Sequence, residues 1–187
     1  MPKVIYYTAM TLNGFLADDD DSLDWLFVVP RGEGGDEDFA RFLDGVGALV
    51  QGSTTYEWVL EHEDLIAHPE KWPAFYGARP TFVFTSRDLP DVGGADVRFV
   101  SGSVRDSWPA IVQAAGDRDV WIVGGGDLAG QFADAGLLDE ILVSVAPATL
   151  VSGKPLLPRD LGAEALELIA VRHVGGFAEL TYAVRRP

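Results

Sequence analysis

Short apolar runs rich in Val, Ile, Phe and Tyr recur along the chain at Val4–Thr8, Ala48–Gln51, Thr81–Thr85, Val97–Val100, Val120–Val123 and Glu140–Val145. Runs of this length, continuous rather than alternating, suit strands covered on both faces. Amphipathic stretches lie between them. Asp36–Leu43 opens with acids and puts Phe39, Phe42 and Leu43 on one helical face. Thr54–Leu60 follows a Gly-Ser turn, with Ser53 or Thr54 as the expected N-cap. Ser103–Ala115 carries Pro109, expected near the start of its helix with Asp106 or Ser107 as the cap. Asp127–Ala135 starts after three glycines and stops at Gly136.

The tail breaks this alternation. Leu166–Val174 and Phe177–Val184 flank Gly175-Gly176 and read as a β-hairpin. Residues 1–187 thus predict one α/β domain, a three-layer α/β/α sandwich on a mostly parallel mixed sheet with a C-terminal antiparallel hairpin. The segment Asp18–Asp36 is Gly- and Asp-rich and aperiodic, and loops of that length are often functional. Its acidic run, Asp18 to Asp21, resembles the start of a calcium loop. The sixth and twelfth positions are Leu23 and Val29, where such a loop needs Gly and Glu, so a solvated loop is expected.

Composition narrows the classes. With 187 residues, 48% of them hydrophobic and 23% charged, the chain buries a core without staples and is not disordered. The absence of cysteine removes disulfides, thiolate zinc sites, iron–sulfur clusters and cysteine nucleophiles, and fits a cytoplasmic protein. Twenty-nine acidic against 14 basic residues give a net charge of −15, which disfavours nucleic acid and anionic membrane as partners. No run of about 18 apolar residues predicts a membrane span. The N-terminal apolar stretch, broken by Thr8, Thr11 and Asn13, reads as a strand rather than a signal peptide. His62, His68 and His173 show no metal-ligand spacing and read as surface or strand residues, so no metal is expected.

Four strand ends carry candidate chemistry. At Gly124-Gly125-Gly126 a buried strand runs into three glycines and then a helix, which suits an anion held by backbone N–H groups at a helix N-terminus. Gly124, Gly126 and Ala129 also fit the dinucleotide pattern G-x-G-x-x-A. The motif sits late, however, and the acid that a Rossmann fold places at the end of the next strand is missing near Val145. Gly52-Ser53-Thr54-Thr55 is the second, readable alone as a plain cap. Ser86-Arg87 is the third, suited to a terminal phosphate or simply solvated. Asn13-Gly14, a turn after the first strand, is the fourth. All four fall at strand carboxyl ends, where open α/β sheets bind ligands, and together they favour an extended ligand such as a dinucleotide. Lys154 and Arg159 are cations after a Gly-containing loop, placed either to meet a substrate phosphate or to be solvated.

The set resembles the dihydrofolate reductase superfamily, most closely the branch of the riboflavin-biosynthesis reductase, the RibD C-terminal domain. The resemblance rests on six motifs in order: Thr11-Leu12-Asn13-Gly14-Phe15-Leu16-Ala17, Asp24-Trp25-Leu26, Gln51 to Glu57, Thr85-Ser86-Arg87, Gly124 to Gly126, and Pro147 to Leu157. It implies hydride transfer from NADPH to a small heterocyclic or ribosyl substrate in a homodimeric enzyme. By position, Ala9, Asn13 and Gly14 would border the nicotinamide. Gly52, Ser53, Thr54 and Thr55 would approach the pyrophosphate and ribose, and Ser86 and Arg87 the 2′-phosphate. Gly124, Gly125 and Gly126, with Leu128 and Ala129, would hold the pyrophosphate.

Asp36 fits the spacing to Gly52 of the acid in folate-reducing relatives, with Asp38 on the same turn; these are the catalytic candidates. Trp25, Phe39 and Trp58 would line the substrate cleft, while Phe42 reads as core. Two departures stand out. Ser53 replaces the branch's Arg, which leaves NADH open beside NADPH, and Asn13 replaces an Asp. The implied activity is that of 5-amino-6-(5-phosphoribosylamino)uracil reductase. The alternatives are reduction of folate, pterin or another small imine or carbonyl, and a non-catalytic nucleotide-binding regulatory module.

Overall fold

The computed structural model describes residues 2–32 and 34–185. The chain runs β1 (Val4–Thr11), β2 (Phe15–Ala17), α1 (Asp24–Phe27), α2 (Gly35–Gly45), β3 (Val46–Gly52), α3 (Ser53–His62), α4 (Trp72–Tyr76), β4 (Thr81–Phe84), β5 (Val97–Val100), α5 (Val104–Ala115), β6 (Asp119–Gly124), α6 (Gly126–Asp134), β7 (Glu140–Ala146), β8 (Lys154–Pro155), β9 (Leu166–Val174) and β10 (Phe177–Val184).

Eight strands form one sheet in the order β5-β4-β3-β6-β1-β7-β10-β9. The first six are parallel. The hairpin β9–β10 adds antiparallel to β7. The expected sandwich and its antiparallel tail are therefore present. The small ribbon β2–β8 stands apart from the sheet.

Strand periodicity splits the core in two. Val4 and Tyr6, Ala48 and Val50, and Val120 and Ile122 pack on one face with Ile111 of α5 and Phe132 of α6. Leu49, Val83 and Trp121 pack on the other with Tyr56 of α3 and Trp72 of α4, joined by Phe39 and Phe42 of α2. Because helices cover both faces, the strands lose alternation and read as unbroken apolar runs. Full burial of side chains such as Phe82 and Phe132 stabilises by about 1.5–3 kcal/mol each. The polar ends of buried aromatics are bonded: Tyr6 Oη donates to the Leu156 carbonyl at 3.0 Å and Trp121 Nε1 to that of Tyr7 at 3.0 Å. Arg79 donates to the carbonyls of Leu43, Val46 and Tyr76 and so ties α2, β3 and α4 together.

Several expectations change. Ser103 caps α5, its Oγ accepting from the Asp106 amide at 3.2 Å, rather than Asp106 or Ser107. Pro109 lies inside that helix, where its missing N–H leaves the Arg105 carbonyl without its intrahelical partner. Gly52 is the N-cap of α3, and neither Ser53 nor Thr54 caps it. The Asp18–Asp21 run is a turn closed by Asp18, whose Oδ1 accepts from the amides of Asp20 (2.9 Å) and Ser22 (2.8 Å). The short helices α1 and α4, four and five residues long, fall in stretches too brief to show a helical period.

The hairpin tip has a second contact. The Gly176 amide donates to the Pro30 carbonyl at 2.7 Å, and a Cβ on Gly32 would sit 2.5 Å from Gly175 Cα. Backbone therefore lies on backbone where the Pro30–Gly32 loop meets the tip. No helix among the described residues is long and apolar enough to cross a membrane.

Candidate active site

A cleft opens at the carboxyl ends of β1, β3 and β6. Its larger part, about 530 Å³, is walled by Thr8, Ala9, Gly52–Thr55, Trp58, Val123, Gly124–Gly126 and Leu128, with Leu16, Ala17, Leu23 and Leu26 from the segments after β1. A smaller part, about 280 Å³, is walled by Tyr7, Phe39, Trp121, Ser144, Phe177 and Glu179, with Arg31 and Asp36 among its lining. Thr8, Ala9, Leu26 and Val123 belong to both walls, so the two halves meet beside β1 and β6.

Two helix starts converge on the larger half. The N-caps are Gly52 for α3 and Gly125 for α6, and no side chain caps either among the described residues. A Cβ on Gly52 would lie 3.7 Å from the Gly125 nitrogen, so the two turns abut. The Gly124–Gly125 peptide is cis. Glycine is required at Gly126, where a Cβ would lie 2.4 Å from the Leu156 carbonyl oxygen, while one on Gly124 would press on Thr55 Oγ1 at 2.9 Å. Free N–H groups and two positive dipole ends on a glycine floor suit a diphosphate, so the residues present fit a dinucleotide. Asp127 also lines this half; its hydrogen bond from Gln131 and its pairing with Arg159 hold its carboxyl below the usual range. Lys154 lines it too and pairs with Asp21 at 3.6 Å.

The other expected residues fall in distinct places. Ser86 and Arg87 are not in the wall, and Arg87 is spent on a two-pronged ion pair with Glu57. Asn13 and Gly14 lie outside the lining. Asn13 instead ties the chain after β7 to the end of β1, its Nδ2 donating to the Leu150 carbonyl at 2.6 Å and its Oδ1 accepting from the Leu150 amide at 3.2 Å. Gly14 holds the turn with φ +89°. Ala129 is buried in α6 and packs in the core. Arg159 bridges Asp127 and Asp134. Trp58 lines the larger half, Phe39 the smaller and Trp25 neither. His62, expected as a surface or strand residue, forms a three-ring cluster with Phe27 and Trp58, with centroids 4.9 and 4.4 Å away.

The two catalytic candidates diverge from that role. Asp36 borders the smaller half, but its side chain is 86% exposed and pairs with Arg31 at 3.5 Å. Asp38 does not line the cleft; the hydrogen bond from Arg172, helped by Arg41, holds its carboxyl below the usual range. A proton donor needs the opposite shift.

Sequence reasoning missed Tyr7, Ser144 and Glu179. They meet because β1, β7 and β10 are neighbours in the sheet. Tyr7 Oη and Ser144 Oγ each lie 3.3 Å from Glu179 Oε1, and Arg172 Nε lies 3.9 Å from Oε2. Burial, reinforced by the Glu179 charge, pushes the Tyr7 phenol up to about 12, so it stays protonated and donates. The available signal was a single acid, third in the strand run Phe177–Val184. Among the described residues, no group of three or more His, Cys, Asp or Glu is placed to hold a metal.

Fold and cleft together define a protein of the dihydrofolate reductase-like class. The RibD C-terminal domain family model matches residues 74–176, and the chain belongs to that family. It is 30% identical over 182 residues to the uncharacterized protein YwjB of Bacillus subtilis, covering 96% of this chain and 97% of the relative. YyaP of the same organism is 26% identical over 158 residues, covering 82% and 79%. Among solved structures, a putative riboflavin biosynthesis protein from Shewanella superposes with a TM-score of 0.77 at 27% identity, covering 98% of this chain and 99% of the other. The deaminase/5-amino-6-(5-phosphoribosylamino)uracil reductase of Thermotoga maritima gives 0.70 at 14% identity, covering 98% and 57%, a likeness of fold.

Proposed function

We propose that the protein is an NAD(P)H-dependent reductase acting on a C=N or C=O centre of a small heterocyclic or ribosyl compound. The observation that carries this reading is the meeting of the two cleft halves at Thr8, Ala9, Leu26 and Val123. One half suits a dinucleotide and the other a flat organic molecule, so the junction is where a donor and an acceptor would face each other. When bound, the reduced nicotinamide supplies a hydride. The chain's part is to hold the diphosphate on the α3 and α6 N-termini, border the ring with Thr8, Ala9 and Val123, and keep water from the junction with Leu26. At the adenosine end, Ser53 carries no charge and Arg87 is held by Glu57, so little is left to favour a 2′-phosphate.

Titrating the protein's five tryptophans with NADPH and NADH at one ionic strength tests this. Both cofactors are expected to saturate, with NADPH ahead by less than the roughly tenfold that one free charge-assisted contact confers. Failure of both at millimolar concentration overturns the reading. Turnover assays with 5-amino-6-(5-phosphoribosylamino)uracil, a phosphorylated ribosyl compound, and with dihydrofolate, an unphosphorylated heterocycle, separate the two substrate classes. A homodimer is part of the proposal, and the exposed apolar edge of β9 supports it.

A further inference from the structure

The smaller half of the cleft has a character of its own. Its walls are rings: Tyr7 stands edge-on to Phe39 at 5.9 Å, and Phe39 edge-on to Trp121 at 5.6 Å. Its floor is the Glu179 side chain, only 13% exposed, with Tyr7 Oη and Ser144 Oγ each 3.3 Å from one carboxylate oxygen. The second oxygen has Arg172 at 3.9 Å, and that guanidinium is already bound to Asp38. The lining cation, Arg31, is paired with Asp36, which also lines the cavity. An aromatic-walled slot thus ends in a carboxylate, and its nearby cations are matched by acids. An anion seated on the floor meets Glu179, whose neighbouring guanidinium, Arg172, is already bound to Asp38. A flat ring carrying N–H donors fills the slot and gives the carboxylate a charge-assisted bond.

We infer that Glu179, positioned by Tyr7 and Ser144, is the specificity-determining residue of the proposed reaction. It selects a neutral or cationic, unphosphorylated heterocycle with N–H groups at one edge. This rests on the reductase reading and narrows its substrate.

The test is calorimetric titration at pH 7, with and without saturating NADPH, using 2,4-diaminopyrimidine and ribose 5-phosphate as probes. The diaminopyrimidine is expected to bind. E179Q should weaken it about ten- to a hundred-fold, and Y7F and S144A a few-fold each. Ribose 5-phosphate should show no saturable binding. Thermal melting establishes that each variant is folded, and S144A, which removes a single hydroxyl, carries the test if E179Q is not. Ribose 5-phosphate binding more tightly than the diaminopyrimidine overturns the inference, as does unchanged diaminopyrimidine affinity in the folded variants. NADPH binding, read from tryptophan fluorescence on the same samples, separates the two layers. If it persists while the probes behave otherwise, only the inference fails; if it is absent from wild type, the reductase reading fails.

Discussion

Asp38 shows how one position reads differently before and after its neighbours are known. In the sequence it is an acid on the first turn of a helix, at a spacing that suits proton transfer. In the fold it meets Arg172, contributed by β9, 134 positions away. No local pattern announces such a pairing, and it reverses the electrostatic role of the carboxyl. Its folded pKa lies below the ordinary 3.8, so the ion pair stabilises above that pH and is lost as acid protonates the carboxyl. The difference in melting temperature between wild type and D38N is therefore expected at pH 7 and should vanish as the pH falls through and below the ordinary carboxylate range. A constant difference would show that Asp38 acts through packing instead. Glu179 is the converse: a lone acid in a strand, legible only once β1 and β7 bring it Tyr7 and Ser144.

Among the elements, the parallel strands were legible because burial on both faces leaves unbroken apolar runs, and the hairpin because two strand-like runs flank a glycine pair. Cap positions were not. Ser103, rather than the acid three residues on, holds the start of α5, and the helix continues through Pro109 because packing of Ile111 and Ala115 outweighs one lost bond. The short α4 was hidden because five residues hold a single i, i+3, i+4 set, Trp72, Phe75 and Tyr76, too short a stretch to show a period. The turn from β6 to α6 was readable from its three glycines, but the reason for the third was not. Gly126 is needed because the chain around Pro155 and Leu156 lies directly on it. G126A should cost about 1–3 kcal/mol in thermal or denaturant unfolding and weaken cofactor binding, since relief requires moving that chain. An unchanged melting temperature would refute the close contact.

For the whole molecule, a net charge of −15 keeps copies apart, so an apolar edge is conspicuous. Strand β9 is nine residues long, lies at the margin of the sheet and exposes Leu168, Ile169 and Val171. Such an edge invites a strand from another chain. The proposed dimer pairs through this edge, so sedimentation analysis is expected to show a dimeric wild type and a folded, monomeric V171E; a monomeric wild type would refute the dimer, and a V171E that stays dimeric would place the interface elsewhere. The same ribbon reaches the cleft at two further points. Strand β10 carries Glu179, and the tip at Gly175-Gly176 rests backbone to backbone on the loop that brings Arg31 to the cavity rim. On this ribbon Val171 at the open margin is the register partner of Leu180, the chain neighbour of Glu179, so one plank is both the outer margin of the sheet and part of the cavity.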